Sequence, residues 1–438
     1  MRVESDKLGQ VELDDNELYG LQTKRAYENF KLNYKSTNLH LIYAIVKIKK
    51  AAALTYINIG ADKKGIYPPV ISACDRILAG EADNQFITQS LQGGAGTSTN
   101  MNVNEVISNL ALQQIGEPPG SYDLIHPLDD VNRGQSTNDV YPTALRIAAI
   151  DTLRALSNEC AKLQEVLQQK ENKFESIKKI GRTELMDAVP ITLGAEFGAY
   201  AQAIARDRWR LYKVEERLRQ VNIGGTAIGT GMNADKQYRF GIIETLRSLT
   251  GIGLAVSEYS LDITQNNDVF VEVSGLLKAL AVNMMKIAND LRLMNSNTFG
   301  EIRLKPMQMG STIMPGKVNP VLPEMVIQVS MRIMANDYAI SSAAAHGEFE
   351  LNAFLPLIAD SLLESLELLL NSVKLFREKC IEVIEPNVLR CNALLNSSFA
   401  FATEYTTKLG YETVSQVLEQ YRDDNVKAKQ ILDDMVKL

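Results

Sequence analysis

The sequence has few of the residues that bind metals or form disulfides. Among its 438 residues are four cysteines and three histidines. Cys74, Cys160, Cys380 and Cys391 lie far apart, the histidines are also scattered, and neither set has the short spacing of a zinc site. We therefore expect reduced thiols in a cytoplasmic protein and no metal centre.

Long apolar runs and dense basic stretches are also missing. No run of about 18 uninterrupted apolar residues occurs, so a membrane span is not expected, and the polar, acidic N-terminus is unlike a signal peptide. Lys and Arg number 46 against 53 Asp and Glu, a formal net charge of −7. We therefore expect no nucleic-acid or anionic-membrane partner.

What the sequence does have is helical periodicity. Apolar residues in 151–177 form one stripe, whereas 268–294 is apolar nearly all round until Lys286. Segments 325–343 and 356–384 are likewise long and apolar. A bundle of such helices with embedded polar residues is typical of an oligomer core.

We predict a mainly α fold in three parts. A mixed, mostly helical N-terminal domain covers 1–132, a central helical bundle covers 133–388, and a small domain of short, charged helices covers 389–438. Strand signals are sparse, and no internal repeat or low-complexity tract occurs.

Four polar stretches suit neither a core nor an ordinary surface. They are GGAGTSTNMNVNE (93–105), just before a helical pattern, NRGQSTNDVYPTA (132–144), GRTELMDAVPITLG (181–194), between apolar helices, and GSTIMPGKVNP (310–320), an apolar loop hinged by glycines. Taken singly, each is more typical of a helix cap or turn. Because glycine-rich turns and helix N-termini bind anions, the four together predict a site for a small polyanion.

GSTIMPGKVNP closely resembles the signature loop of the aspartase/fumarase superfamily, and the other three stretches match further segments of that superfamily in the same order. Segments 18–30, 224–234 and 265–294 are also similar, so the resemblance covers about residues 1–385. It weakens at LLNSSFAFATEYTTKLGYE in the C-terminal part. The resemblance implies a homotetramer with a tetrameric helix core and active sites shared between subunits. It implies no organic cofactor; a divalent metal activates some relatives, but the sequence contains no ligand cluster.

The implied reaction removes a proton from the carbon next to a carboxylate and expels a group from the neighbouring carbon. By resemblance, Ser311 is the general base, Lys317 and Asn319 stabilise the aci-carboxylate intermediate, and Glu324 has a supporting role. A free serine is far too weak a base, so neighbouring N–H groups and Lys317 must stabilise its alkoxide in a dry, closed site. The glycines are then hinges, and Ile313 and Met314 pack as a lid.

Further residues match the family's substrate contacts. They are neutral donors or acceptors, which suits a dianion that must also leave: Thr97, Ser98, Ser136, Thr137, Asn138, Thr183 and Thr312. Arg25 and Arg182 add positive field or, equally, form structural ion pairs.

The substrate depends on Glu184, where fumarases typically carry a histidine. A carboxylate is favourable beside an ammonium group and unfavourable beside a hydroxy dianion. GAGTSTNMN and QSTND also resemble the ammonia-lyase branch, whereas GEFELNAF (347–354) resembles fumarases more. The resemblance thus implies conversion of L-aspartate to fumarate and ammonia, with Glu184 contacting the amine. The alternatives are fumarate hydratase chemistry, which interconverts malate and fumarate, and a non-catalytic recruited member. Leu128 and Asp130 replace the Asn and His of a second dicarboxylate site, so that site is not expected.

Overall fold

The computed structural model describes residues 1–437 and confirms a mainly α fold. The helices are α1 (Leu21–Asn29), α2 (Leu39–Asn58), α3 (Tyr67–Leu78), α4 (Thr97–Gln114), α5 (Thr137–Lys173), α6 (Leu193–Leu218), α7 (Lys236–Thr250), α8 (Ser260–Gln265), α9 (Asp268–Met294), α10 (Val321–Ala345), α11 (Leu355–Lys379), α12 (Val388–Ser397), α13 (Thr403–Leu409), α14 (Tyr411–Gln420) and α15 (Asn425–Lys437). No helix within residues 1–437 has the length and hydropathy needed to cross a membrane.

Strands form four small pairs. They are β1 (Arg2–Asp6) with β2 (Gly9–Leu13), β3 (Lys178–Thr183) with β4 (Met186–Thr192), β5 (Gln220–Val221) with β6 (Ala255–Val256), and β7 (Ile302–Arg303) with β8 (Glu385–Pro386). The β5–β6 pair is parallel and the others are antiparallel. The register of β3–β4 shifts between Ile180 and Arg182.

The chain divides into two compact units. One comprises Met1–Ala155, Arg210–Lys278 and Arg332–Leu368, and the other comprises Leu156–Trp209, Ala279–Met331 and the chain from Leu369 onward. The domain boundaries that we place near 132 and 388 stay a prediction.

The long helices follow the apolar periodicity of the sequence. Helix α9 has the predicted bounds, α10 contains 325–343, and α11 ends five residues before the predicted 384. The stripe in α5 is buried at Leu153, Leu156, Cys160, Leu163 and Leu167. Burying such a stripe removes apolar surface from water, which is the main stabilising contribution to helices of this kind.

In the first unit, α2 packs against α3, α4 and α7. Asn38 caps α2 by accepting the His40 N–H, and Asp235 caps α7 by accepting the Gln237 N–H. The ring of Tyr56 stacks on that of Tyr238, with centroids 4.8 Å apart. Lys49 Nζ of α2 donates to Asn132 Oδ1, so α2 lies beside the residues that precede α5.

Candidate functional site

The first polar stretch lies mostly inside α4 rather than before it, which corrects the sequence-based boundary. The helix begins at Thr97, and its N-cap Gly96 has φ +92°. A Cβ at Gly96 would lie 2.3 Å from the Tyr141 ring of α5, so only glycine allows the two helix starts to approach this closely. Thr97 is exposed and Ser98 half-buried at the tip.

The second stretch forms the start of α5. Ser136 Oγ accepts the Asn138 N–H at 3.2 Å, as an N-capping side chain does. Thr137, the first residue of α5, is 8% exposed, and its Oγ1 accepts a hydrogen bond from Asn100 Nδ2 of α4 at 3.1 Å. The predicted residues of both stretches therefore meet at two neighbouring helix N-termini, which favour negative charge.

A buried polar network behind these helix starts was not predicted from the sequence. Asn132 Oδ1 accepts hydrogen bonds from Lys49 Nζ at 2.7 Å, Asn100 Nδ2 at 3.1 Å and Asn104 Nδ2 at 3.3 Å. Burial lowers the pKa of Lys49 to about 7. The available signal was the i, i+4 spacing of Asn100 and Asn104, which puts both amides on one helix face.

The network orients Thr137. Asn100 donates to both Asn132 and Thr137, so the Thr137 oxygen is already an acceptor. A hydroxyl that accepts in this way keeps its own hydrogen for another partner. Thr137 can therefore donate to an anion at the helix starts.

Asp139 joins this region to the 224–234 segment. Its carboxylate accepts N–H groups from Ser136 at 3.0 Å, Gly224 at 3.1 Å and Thr226 at 2.9 Å. Burial raises the pKa of Asp139 to about 6, although these N–H groups and Lys49 oppose the rise.

The Asn138 side chain donates to Ala227 O at 2.7 Å, so that part of its amide is used inside the unit. Pro142 lacks the N–H that would bond the Asn138 carbonyl in a regular helix. That carbonyl accepts Asn222 Nδ2 instead, at 3.0 Å. Pro142 thus leaves the Asn138 carbonyl free to accept from Asn222, which holds the segment after β5 against the start of α5.

The second unit contains the predicted loop. Ser311 is half-buried, and its Oγ accepts the backbone N–H groups of Ile313 at 3.2 Å and Met314 at 3.0 Å. Two N–H donors on one hydroxyl oxygen are the arrangement that stabilises negative charge there.

Hydrogen bonds join the two ends of the loop, Gly310 on one side and Lys317 and Asn319 on the other, and we call this closure the neck. Gly310 N donates to Lys317 O at 2.8 Å, and Asn319 Nδ2 donates to Gly310 O at 3.0 Å. A Cβ at Gly310 would lie 2.6 Å from Lys317 O, so this position requires glycine. The neck places Ser311, Thr312, Lys317 and Asn319 in one loop.

The apolar loop residues do not form the predicted lid packing in this structure. Ile313 is 84% exposed, Met314 48% and Val318 46%. Lys317 and Thr312 are also exposed. The loop is thus held by hydrogen bonds within itself, while its apolar side chains and its cation are exposed to solvent.

The third polar stretch is a β-hairpin, not simply a connection between helices. Thr183 ends β3, and the turn residues Glu184 and Leu185 have φ of +53° and +65°. Two-residue turns of this hand normally use Asn-Gly, so the sequence carries no hairpin signal here. Each non-glycine residue in the left-handed backbone conformation lowers stability by about 1–2 kcal/mol. Glu184 is held exposed at the tip and lines a cavity of about 360 Å³.

Both candidate arginines form ion pairs within their own units. Arg182 Nη1 lies 3.0 Å from Glu301, whose side chain is fully buried, and Arg25 Nη1 lies 2.5 Å from Asp6. These contacts favour the structural role over the field role. Glu324, in the first turn of α10, lies 3.9 Å from Arg292 Nη2.

Asp130 and Leu128 lie in a short π-helical turn, Pro127–Val131. Asp130 is buried and accepts the His126 N–H at 2.8 Å, and its other oxygen lies 3.4 Å from Lys64 Nζ. Leu128 is 45% exposed. Within residues 1–437, no group of three or more His, Cys, Asp or Glu side chains could hold a metal ion.

Comparison with known proteins places this geometry in a family. The family model described as lyase matches residues 9–335. An aspartate ammonia-lyase from a Bacillus species is 42% identical over 96% of this chain and 90% of its own length, and one from Helicobacter pylori is 40% identical over 96% and 91%.

Solved structures agree. A fumarate lyase:delta crystallin from Brucella melitensis, bound to cobalt, superposes with a TM-score of 0.94 and is 41% identical, covering 100% of this chain and 98% of its own. A class II fumarase from Schistosoma mansoni has a TM-score of 0.94 at 31% identity, covering 99% and 95%. The chain therefore belongs to this lyase family, the aspartase/fumarase superfamily that its four polar stretches predict.

Proposed function

We propose that this protein is an aspartate ammonia-lyase, which converts L-aspartate to fumarate and ammonia. The observation that carries the proposal is the loop in which Ser311 Oγ accepts two backbone N–H groups and shares a closed neck with Lys317 and Asn319. The curated relatives that share 39–42% of its residues are named aspartate ammonia-lyases, whereas the class II fumarase shares 31%.

The chemistry requires a base and an anion site. The C–H bond next to a carboxylate is weakly acidic and breaks only if that carboxylate can accept a second negative charge. Lys317 and Asn319 supply donors for that charge, and the Ile313 and Met314 N–H groups stabilise the Ser311 alkoxide that removes the proton. Losing one such donor typically costs about 10²–10³ in rate.

The other carboxylate binds where helices begin. The starts of α4 and α5 offer N–H dipoles and the hydroxyls of Thr97, Ser98, Ser136 and Thr137, and the family's Asn138 contact lies beside them. These donors carry no charge, so they bind a dianion without trapping it. Thr183 and Thr312 match further substrate contacts of the family, and Glu324 supports the loop through the first turn of α10.

Glu184 contacts the substrate ammonium group. Its side chain is exposed at the hairpin tip, and opposite charges about 4 Å apart gain roughly 1–4 kcal/mol depending on screening. We expect Glu184→Ala to raise KM for L-aspartate about tenfold or more. Asp187→Asn, which removes a charge from the same hairpin, is the matched control. An unchanged KM in Glu184→Ala would contradict this role.

The active form is a homotetramer. Large apolar side chains on the long helices are exposed in the single chain: Val282 is 49% exposed, Met331 57% and Tyr338 77%. Exposed apolar surface on long helices is typical of an interface with further copies. Light scattering coupled to size exclusion should give four chains per particle, and dilution to monomers should abolish turnover.

The reaction needs no organic cofactor, because it requires only proton transfer and stabilisation of an anion. Turnover should therefore persist after dialysis against EDTA and be unaffected by added flavin, nicotinamide or pyridoxal cofactors. Loss on dialysis and recovery with a divalent cation would instead place the protein among the metal-activated members. The free, buried cysteines are in keeping with a cytoplasmic location.

The deciding experiment measures fumarate by its ultraviolet absorbance, with L-aspartate and L-malate offered in parallel. We expect fumarate from L-aspartate alone. Fumarate from malate would instead identify a fumarase, the second candidate, which the similarity of GEFELNAF to fumarases favours. Turnover of neither substrate would support another amino acid, such as a substituted aspartate, as the substrate, or a recruited, non-catalytic protein.

A further inference from the structure

A cavity of about 730 Å³ in the second unit is lined by an excess of positive charge. Lys170, Lys173, Arg303 and Lys305 line it, against the carboxylates of Glu382 and Glu385. The lining thus has four cations and two anions, a net charge of +2, in a chain whose net charge is −7. A local excess of cations in an acidic protein attracts anions to that place.

The cations converge because of their spacing. Lys170 and Lys173 are three residues apart on α5 and share a helix face. Arg303 ends β7 and Lys305 follows it by two residues, and both side chains line the cavity. The end of α5 and the segment at the end of β7 therefore each place two cations in the wall of this cavity.

Most of this charge has no partner in the protein. Among residues 1–437, no ion pair involves Lys173, Arg303 or Lys305. Arg377 Nη1 binds Glu382 at 2.7 Å, and Glu385 lies opposite Arg303 in the β7–β8 pair. The Glu382 carboxylate is therefore already paired with Arg377, which does not line the cavity, and the Glu385 residue lies opposite Arg303 only.

Lys170 forms the inner wall. It is 7% exposed, and its ammonium donates to the carbonyl oxygens of Glu382 at 2.9 Å and Ile384 at 3.1 Å, not to a carboxylate. Burial, and to a smaller extent Lys173, lower the pKa of Lys170. The protein thus keeps two cations close enough to disfavour each other, a cost that a bound anion would offset.

The remaining lining is suited to an organic group. It comprises Leu304, Pro306, Val318, Val383 and Ile384, together with Asn295. Small-molecule cavities typically combine an apolar floor with a few convergent polar groups. Four cations exceed what a dicarboxylate needs, and arginine with lysines is the usual donor set for phosphate.

We propose that this cavity binds an organic phosphate at the base of the loop that carries Ser311. Val318 is the loop residue in its wall, directly between Lys317 and Asn319. The site is separate from the residues assigned to the reaction, and its occupancy does not depend on which substrate the enzyme turns over.

Binding is measured by isothermal titration calorimetry on the full chain, with pyrophosphate and adenosine diphosphate as probes and potassium chloride at matched ionic strength. We expect one site per chain, tighter for adenosine diphosphate than for pyrophosphate. Saturating fumarate should not displace either probe. Arg303→Gln with Lys305→Gln should weaken binding at least about tenfold.

The matched control is Arg247→Gln with Lys63→Gln, which removes one exposed arginine and one exposed lysine outside the cavity. Should Arg303→Gln with Lys305→Gln fail to fold, Lys173→Gln with Lys305→Gln takes its place, with melting temperature as the check. Equal weakening in the control, displacement by fumarate, tighter binding of succinate than of either phosphate, or no heat of binding would each overturn the proposal. Because binding is read without turnover, failure here leaves the proposed reaction untouched.

Discussion

The starts of α4 and α5 and the loop at 310–320 carry the same kinds of side chain, yet they are held very differently. At the helix starts, Thr137 is 8% exposed and rests on a network that reaches Lys49 through two asparagines. In the loop, Ser311 is held only by N–H groups of its own turn, and Ile313 is 84% exposed.

This difference separates binding from chemistry. A buried network fixes donors before the substrate arrives, which preorganises the anion site. An exposed loop with apolar side chains has surface left to bury, and burying one such side chain gains about 1.5–3 kcal/mol. We therefore call the helix starts the rigid half of the proposed donor set, and the loop, which carries the proposed base and keeps apolar surface exposed, the other half.

The largest effect is expected from Ser311→Ala. Removing the base should lower kcat by about 10²–10⁴ while KM changes little, because the anion-binding donors remain. Steady-state fumarate formation measures both constants. Ser397→Ala, which removes an exposed hydroxyl from α12, is the control. If Ser311→Ala keeps most of its kcat, the base is another residue, and the loop does not carry the chemistry while the helix starts bind the anion.

The neck of the loop should be nearly as sensitive. Gly310→Ala places a Cβ 2.6 Å from Lys317 O, so the neck must open and shift Ser311. Misplacement by about 1 Å can cost about 10²-fold in kcat/KM. Gly316→Ala is the matched control, because Gly316 has open space and only its φ of +78° is strained. Equal losses in the two variants would mean that general loop strain, rather than the neck, controls activity.

The loop and the helix starts also differ in how far the sequence reveals them. Glycine, proline and hydroxyls at 310–320 are local turn signals, and the apolar period of 268–294 gives α9 with its bounds, because both depend on neighbouring residues.

The β3–β4 hairpin and the buried network depend on something else. Glu184 and Leu185 adopt left-handed backbone without the usual turn residues, and Lys49 contacts Asn132, which lies 83 positions further along the chain. The hairpin and the network both depend on tertiary contacts, so no local sequence pattern predicts them.

A finer test of the rigid half is Asn100→Ala. Loss of the amide leaves Thr137 Oγ1 without this donor and removes one of the three donors to Asn132 Oδ1, so kcat/KM should fall about tenfold and the free energy of unfolding by about 1–3 kcal/mol. Asn102→Ala is the matched control. Asn102 is equally buried in α4 but bonds only the backbone of Ile87 and Gln85, so it should lose stability without losing activity.

A positioning role for Asn100 through Thr137 also predicts non-additivity. In a double-mutant cycle with Thr137→Val, the double variant should be little worse in kcat/KM than Thr137→Val alone. Additive losses would mean that Asn100 acts on stability only.

The last effect is expected in stability rather than in turnover: a pH dependence that belongs to the buried network and not to the loop. Burial lowers the pKa of Lys49 from 10.5 to about 7, so between these values the unfolded chain holds a proton that the folded chain releases. Stability from this group is therefore fully present above 10.5 and is lost as pH falls toward 7, with a slope of at most about 1.4 kcal/mol per pH unit.

Urea unfolding at pH 7, 8 and 9 should therefore show wild type gaining stability relative to Lys49→Met as the pH rises. Lys47→Met, which removes a partly exposed lysine from the same helix, should run parallel to wild type. Asp139 does not contribute to the pH dependence between pH 7 and 9. Burial raises its pKa to about 6, and a raised carboxyl pKa changes the free energy of unfolding only between about pH 3.8 and 6. Parallel curves for wild type and Lys49→Met would mean that the Lys49 ammonium stays charged, supported by Asn132 and Gln135, and the helix starts would then hold a permanent cation behind the bound anion.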